Sequence, residues 1–384
     1  RMDNGNADVN YDVHWDKSYK TNIGVDFQVL NKRLAVSAEY YNEKNREMLM
    51  NIKQSVPSTV GTQSAAVNLG EMNSWGWELS VNWRDKIGKD FKYRIGLNTG
   101  YRDNEVLVMD WVTGNSLYRQ ITKGHRTDMG LWGMQCIGMF RSFQDINEYL
   151  DMYMKKEDGS YGTYMGMTKE QVRPGMLIYK DVRGALQENG TYAGPDHNVD
   201  EELDQVQLSN RTNPYGFTIN AGAEWKGISL TAQFGASWGG YTVVPSAALK
   251  PNGSLEYCNM PSFWNPDNMF VYQDIYDGSG NLLMEANRDA QYPNLAYSNV
   301  NAVTSSFWRV SAARVALNRL TLAYTIPSSL YKKFGINNIR VNVTGQNVLN
   351  FYNPYPDKFM NPMAGTYGSY PNLRKWTVGV NLSF

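Results

Sequence analysis

The closing segment Trp376-Thr-Val-Gly-Val-Asn-Leu-Ser-Phe384 alternates apolar with small or polar side chains without interruption and stops on an aromatic. In an extended chain successive side chains point to opposite faces. Trp376, Val378, Val380, Leu382 and Phe384 therefore share one face, and Thr377, Gly379, Asn381 and Ser383 the other. This suits a strand with hydrocarbon on one side and a polar interior on the other. It also suits one strand of a soluble sandwich, and only a repeated pattern separates the two.

The pattern recurs along the chain. Ile23, Val25, Phe27 and Val29 alternate with Asn22, Gly24, Asp26 and Gln28. After a short turn at Asn31-Lys32, Leu34, Val36, Ala38 and Tyr40 alternate with Arg33, Ser37 and Glu39. Trp75, Trp77, Leu79, Val81 and Trp83 stand against Glu78, Ser80, Asn82 and Arg84, and Tyr93, Ile95 and Leu97 against Lys92, Arg94 and Asn98. Phe217, Ile219, Ala221 and Trp225, then Ile228, Leu230, Phe234 and Trp238, repeat the arrangement. So do Leu320, Leu322, Tyr324 and Ile326, and finally Ile339, Val341 and Val343. In these segments the charges fall on one parity. A charge facing hydrocarbon costs about 2–4 kcal/mol at the bilayer midplane, so a membrane strand must sort its charges, whereas a soluble sheet can leave its outer face mixed. The expected fold class is all-β, a transmembrane antiparallel β-barrel.

Composition agrees once that reading is granted. Only 42% of the residues are hydrophobic, and no apolar run approaches the roughly 20 residues of a membrane helix. A barrel hides its lipid face at period two, so neither observation opposes one. The 34 glycines, 26 tyrosines and 11 tryptophans suit tight turns, aromatic girdles and ligand-contacting loops. A net charge of +0 offers nothing for nucleic acid, and no nucleic-acid partner is expected.

Connection lengths supply a topology. The turns after Leu30, Arg84 and Trp225 are short, and the alternate connections, near 50–66, 110–212, 240–307 and 350–373, are long. Bacterial barrels have short periplasmic turns and long extracellular loops. The four long connections are therefore expected outside and Phe384 in the periplasm of the outer membrane. About nine strands are counted, an odd number where finished bacterial barrels have even ones. Residues 1–384 thus read as the C-terminal part of one β-barrel domain, with Arg1 in an extracellular loop.

Several runs of residues resemble a known family. Asn68-Leu-Gly-Glu-Met-Asn-Ser-Trp-Gly-Trp-Glu-Leu-Ser80, the stretch from Ser306-Phe-Trp-Arg309 to Tyr324-Thr-Ile-Pro327, Thr344-Gly-Gln-Asn-Val-Leu349, Ile137-Gly-Met-Phe140 and Pro174-Gly175 through Lys180-Asp181 look like marks of SusC/RagA-type TonB-dependent transporters, outer-membrane importers of Bacteroidota. The resemblance implies that this chain supplies about the last nine strands of a barrel of about 22. The plug domain and TonB box would lie outside this chain, in the remaining N-terminal part of the transporter. It also implies a SusD-like surface lipoprotein as a lid, and energy from the TonB-ExbB-ExbD complex through the plug. By likeness to other outer-membrane barrels, Phe384 is expected to be an assembly signal.

Two loop features invite a chemical reading. Asp196, Asn198, Asp200 and Asp204 occupy positions 1, 3, 5 and 9 of a calcium-loop template, but Glu201 stands where the template has glycine and Gln207 where it has an acid. Ca2+ in the 196–204 loop is one reading and a solvated acidic loop the other; no cofactor is required. His14, His125 and His197 lie far apart in expected loops, without a nucleophile elbow, a paired-histidine helix motif or a Walker loop. The chain is not expected to be an enzyme. Cys136 and Cys258 both fall in expected outer loops, where pairing is chemically permitted, though separate thiols are the simpler reading.

The functional expectation therefore rests on the loops. Trp111, Tyr118, Trp132, Tyr241, Phe263, Trp264 and Tyr272 lie in the long connections beside Asn and Asp, a mixture that stacks on sugar rings and bonds hydroxyls, or grips peptides. Large loops must also pack on themselves, which is the competing use of the same aromatics. Lumenal Arg84, Arg94, Arg102 and Arg340 are candidates for gripping the plug, because enclosed charges need partners. The expected activity is TonB-dependent import of oligosaccharides, with oligopeptides as the close second. A passive or structural barrel, and a secreted β-rich glycan-binding module, are the readings from other classes.

Overall fold

The computed structural model describes residues 10–52, 65–111, 114, 116–250, 260–362, 367–368, 370 and 372–384. Its frame is a nine-stranded antiparallel sheet whose neighbours follow sequence order. The strands are β1 (Lys17–Val29), β2 (Leu34–Asn51), β3 (Ala66–Ile87), β4 (Phe91–Val108), β5 (Tyr215–Trp225), β6 (Ile228–Trp238), β7 (Arg314–Thr325), β8 (Asn338–Tyr352) and β9 (Lys375–Ser383). β1 and β9 form the two open edges and do not pair with each other, as in a portion of a larger barrel. Among the described residues no helix is long and apolar enough to cross a membrane.

Turn chemistry explains the tight hairpins. Lys226 and Gly227 join β5 to β6 with φ of 47° and 85°, the pair of positive φ values whose twist matches flanking strands. Leu30, Asn31 and Lys32 close β1–β2 with φ of 55°, 57° and 63°. The connection after β7 is longer and is built from two 3-10 turns, Ser328–Leu330 and Lys332–Phe334, ended by Gly335 at φ 73°. In an antiparallel meander alternate connections leave the same end, so all short turns lie at one end and all long connections at the other.

The register separates two faces. Tyr40 pairs with Trp77 and Val36 with Val81, Ile95 with Ala221, Leu230 with Leu322 and Val343 with Val378. These apolar side chains stay open: Ile23 is 63%, Leu322 51% and Val378 71% exposed. So broad an apolar face is far beyond what a water-soluble monomer leaves bare, and it suits hydrocarbon. Glu39 opposite Glu78, Arg84 opposite Arg94, Thr321 opposite Thr344 and their neighbours occupy the other face. One bulge preserves the sorting: Gln233 pairs with Arg319 but Phe234 with Leu317, leaving Asn318 unmatched. Because the extra residue flips the parity, Val315 and Leu317 join Leu320 and Leu322 on the apolar side.

The long connections fold into a cap with cores of its own. Met134, Phe140, Leu150, Tyr164, Leu177 and Tyr179 from the 109–214 connection bury themselves with Val300 and Val303 from the 239–313 connection. A second cluster gathers Val244, Leu249, Phe263, Tyr292 and Trp308, with Tyr355 and Phe359 packed against it. Helix α1 (Phe143–Tyr149) starts at a capping box in which Ser142 and Asp145 satisfy each other's backbone N–H groups. Buried polar groups stitch the connections together. The Asn301 side chain accepts from Leu177 N–H at 2.8 Å and donates to Gly175 O at 2.9 Å and Asn294 O at 2.8 Å, and the Tyr179 hydroxyl donates to Val300 O at 2.9 Å.

Candidate functional site

On the polar face the sheet forms a trough made of two adjoining clefts. The lower, of ≈ 560 Å³, is walled by Glu39, Glu78, Asn98, Arg314 and Asn318. The upper, of ≈ 690 Å³, shares Glu78, Gly100, Gly216 and Arg314 with it and continues to Arg126, Asp128, Arg211 and Asn213 at the root of the long connection. The trough therefore leads from mid-sheet to the cap. Its floor is low because glycines stand on this parity. At Gly100 an added Cβ would sit 2.9 Å from Trp77 O, whereas at Gly216 the nearest atom, Ala236 O, is 3.7 Å away. Gly100 is thus required by close strand approach, and Gly216 merely keeps the floor open.

Electrostatics grade along this face. At the short-turn end a third cleft of ≈ 650 Å³ is lined by Arg33, Arg84, Lys86, Lys92, Arg94 and Arg340 against Asp85 and Glu224. Arg84 faces Arg94 and Lys86 faces Lys92 across the strands, an arrangement of like charges that costs stability on its own. Of the four arginines singled out from sequence, Arg84, Arg94 and Arg340 gather here, while Arg102 lines the upper cleft. Near the cap, Arg211 lies 4.4 Å over the Tyr215 ring and 3.9 Å from Asp103.

The candidate aromatics are not brought together. Tyr118 and Trp132 pack edge to face at 5.5 Å, with the Arg183 guanidinium 3.8 Å over the Tyr118 ring. Phe263 is 1% exposed and lies 5.1 Å from Trp264, whose indole N–H donates to Ala248 O at 2.8 Å. Tyr272 packs on Phe143 at 5.5 Å. Trp111 is half-buried where the long connection begins, and Tyr241 is exposed beneath the Arg309 guanidinium at 4.6 Å. Phe263, Trp264, Tyr118 and Trp132 are thus largely spent on packing the cap. What the sequence reading passed over is the trough itself, with Glu39, Glu78 and Arg314 on its walls. Parity was legible for Glu39 and Glu78, but Arg314 shares the parity of Leu320 and Leu322 in sequence and reaches the polar face only through the bulge at Asn318, and the register that aligns these residues was not legible.

The acidic loop holds itself with its own backbone. Asp204 accepts from Val182 N–H at 2.7 Å, Arg183 N–H at 3.2 Å and Asp200 N–H at 2.9 Å. Asp200 accepts from Glu202 and Leu203, Asp196 from Asn198, and Asn198 from Thr163. Among the described residues no group of three or more His, Cys, Asp or Glu side chains stands in position to hold a metal ion. His14 pairs with Glu47 at 2.6 Å, His125 with Thr122 at 2.7 Å, and the His197 ring with Tyr153 O at 2.9 Å, all far apart. Among the described residues Cys136 has no disulfide partner, and burial pushes its pKa up; Cys258, with which pairing was weighed, lies outside them.

An open meander with a bare apolar face, a polar trough opposite and long connections at one end is part of the wall of a transmembrane β-barrel. No protein-family model matches the chain. In sequence it is 24% identical over 396 residues to TonB-dependent receptor P3 of Formosa agariphila, an alignment covering 98% of this chain and 35% of that protein. It is 26% identical over 122 residues to TonB-dependent receptor SusC of Bacteroides thetaiotaomicron, covering 31% of this chain and 12% of SusC. In structure it is similar to the RagAB peptide importer in its closed-closed state, with a TM-score of 0.66 at 19% identity over 98% of this chain and 36% of that one. The chain spans about a third of the length of the curated relatives it matches, 35% in the case of P3. Over nearly its whole length the chain is thus similar in sequence to TonB-dependent receptors, over 31% of it to SusC, and in fold to the corresponding part of the RagAB importer.

Proposed function

We propose that this chain is the lumenal wall and external cap of an importer that carries short polar oligomers, oligopeptides foremost, across the outer membrane. The trough carries the reading: a polar channel wall that reaches the cap and stands back to back with a lipid-facing surface. Charged and amide side chains line it, which suits peptide backbones and termini. The RagAB structures, of a peptide importer, favour the same substrate class. Oligosaccharides are the second reading, supported by the exposed ring of Tyr241 near the cap's base. The wider relatives add the expectation of a SusD-like lipoprotein over the cap and of energy from TonB-ExbB-ExbD through a plug. The long connections then face outward and Phe384 the periplasm.

The test is uptake of labelled peptides and glycans by cells with and without this transporter, each with and without TonB. Uptake that needs both is expected. Uptake indifferent to TonB would overturn active import and leave a passive barrel.

A further inference from the structure

One row of residues crossing the trough holds two opposite charges apart. From Glu78 on β3 the register passes to Gly100 on β4. It continues to Gly216 on β5, one step beyond the Thr99–Phe217 pair, then to Ser237 on β6 and Arg314 on β7. Glu78 and Arg314 are thus four strand spacings apart, about 19 Å along the sheet, and only Gly, Gly and Ser lie between them. Arg102, opposite Gly76 on β3, stands one lumenal step nearer the cap, and its side chain lines the same upper cleft as Arg314.

The other charges of that cleft are engaged. Arg126 and Arg211 share Asp103 at 3.4 and 3.9 Å. Glu43 is held by Lys20 at 3.3 Å and by the Ser18 hydroxyl at 2.9 Å. Asp128 accepts from the backbone of Gly130, Thr212 and Asn213. Arg102 and Arg314 are exposed, and no acid among the described residues forms a salt bridge with either. Guanidinium groups in this state match a carboxylate by a planar, two-point fit. Glu78 on the far wall repels an anion and so directs it towards the arginines.

We propose that the upper cleft is a carboxylate-recognising subsite, in which Arg102 and Arg314 hold an anionic group of the imported oligomer. An acidic peptide and a uronic-acid oligosaccharide both present that group. The inference rests on the import reading for its biological meaning, but its test is a binding measurement. The full-length transporter with its lid is purified in detergent, and fluorescence anisotropy follows matched probes. One pair is a glutamate-containing oligopeptide and its glutamine, C-amidated counterpart; the other is an oligogalacturonate and its methyl ester.

A carboxylate probe is expected to bind about tenfold more tightly than its neutral counterpart, the scale of a charge-assisted bidentate contact. The responding pair identifies the source. The Arg102→Gln/Arg314→Gln double variant should erase the preference, and Arg314→Lys should keep part of it. Gly216→Asp, which sets an acid on the open floor, should erase it without removing either arginine. Equal binding within both pairs, or a preference that survives in the correctly assembled double-glutamine or Gly216→Asp variant, overturns the subsite. Preferential binding with no TonB-dependent uptake refutes import and leaves the subsite standing, while uptake without any charge preference does the reverse.

Discussion

Asp181 and Asp204 bury their carboxylates together in the cap, 5% and 0% exposed, yet only one of them is fully satisfied. Asp204 accepts its backbone N–H bonds from Val182, Arg183 and Asp200, whereas Asp181 accepts from His197 at 2.8 Å and leaves Oδ1 without a partner. Burial first, and then the charge of Asp204, push the Asp181 pKa up to about 6. Its pKa is therefore higher folded than unfolded, and folding takes up a proton. The resulting stabilisation is complete below the ordinary carboxylate value near 4 and is lost as pH rises through about 6. Its size is on the order of 1–3 kcal/mol. Hydrogen exchange across residues 181–204 should be faster at pH 7.5 than at pH 5, beyond the intrinsic rate change. Asp181→Asn should reduce that difference, leaving the part contributed by Asp204, whose pKa burial also pushes up; identical protection of the wild type at both pH values would contradict it.

Gly216 keeps the trough floor open without any backbone need, since its surroundings admit a Cβ. Gly216→Leu is expected to assemble normally, by heat-modifiable migration, while cutting uptake of the transported oligomer about tenfold by filling the channel floor. Undiminished uptake would show that substrate does not cross this part of the wall.

Arginine placed on either face should report which one meets lipid. Leu230→Arg and Val341→Arg put a charge on the exposed apolar face, at about 2–4 kcal/mol each near the midplane, and should reduce the amount inserted in the outer membrane. Thr231→Arg and Asn342→Arg, one residue along on the polar face, should insert at close to wild-type levels. Similar losses on both parities would remove the lipid assignment.

Phe263 tests whether the loop aromatics hold the cap or the ligand. It is buried between Trp264, Tyr292, Trp308 and Phe359, with ring centroids at 5.0–6.2 Å. Phe263→Ala should cost the cap about 3–5 kcal/mol, seen as rapid limited proteolysis of the 239–313 connection. Loss of ligand affinity with unchanged protease resistance would reverse the assignment.

Phe384 is 79% exposed on the apolar parity of β9. Deleting it should lower the folded fraction in the outer membrane severalfold, more than the loss of one girdle ring would explain. A loss no larger than that of Trp376→Ala would leave it a packing residue.

The sequence by itself determined the strands and their faces. Period-two alternation is a local property, readable wherever Val, Leu and Trp share a parity and charges avoid it, and turns such as Lys226-Gly227 follow from which residues tolerate positive φ. Only the tertiary structure decided what those faces build. Asn318 is one polar residue among several in β7, and that it bulges and flips the parity of Val315 and Leu317 depends on its partners in β6. The row from Glu78 to Arg314 joins residues 236 positions apart (314 − 78) through four separate pairings, none encoded near the others. Phe263 and Tyr241 looked alike as loop aromatics, yet one is 1% and the other 41% exposed. Burial is set by contacts with distant segments, as when Asn301 bonds across 126 residues to Gly175. Local pattern selects extended chain and face, whereas register and long-range packing select neighbours, and a binding site is made of neighbours.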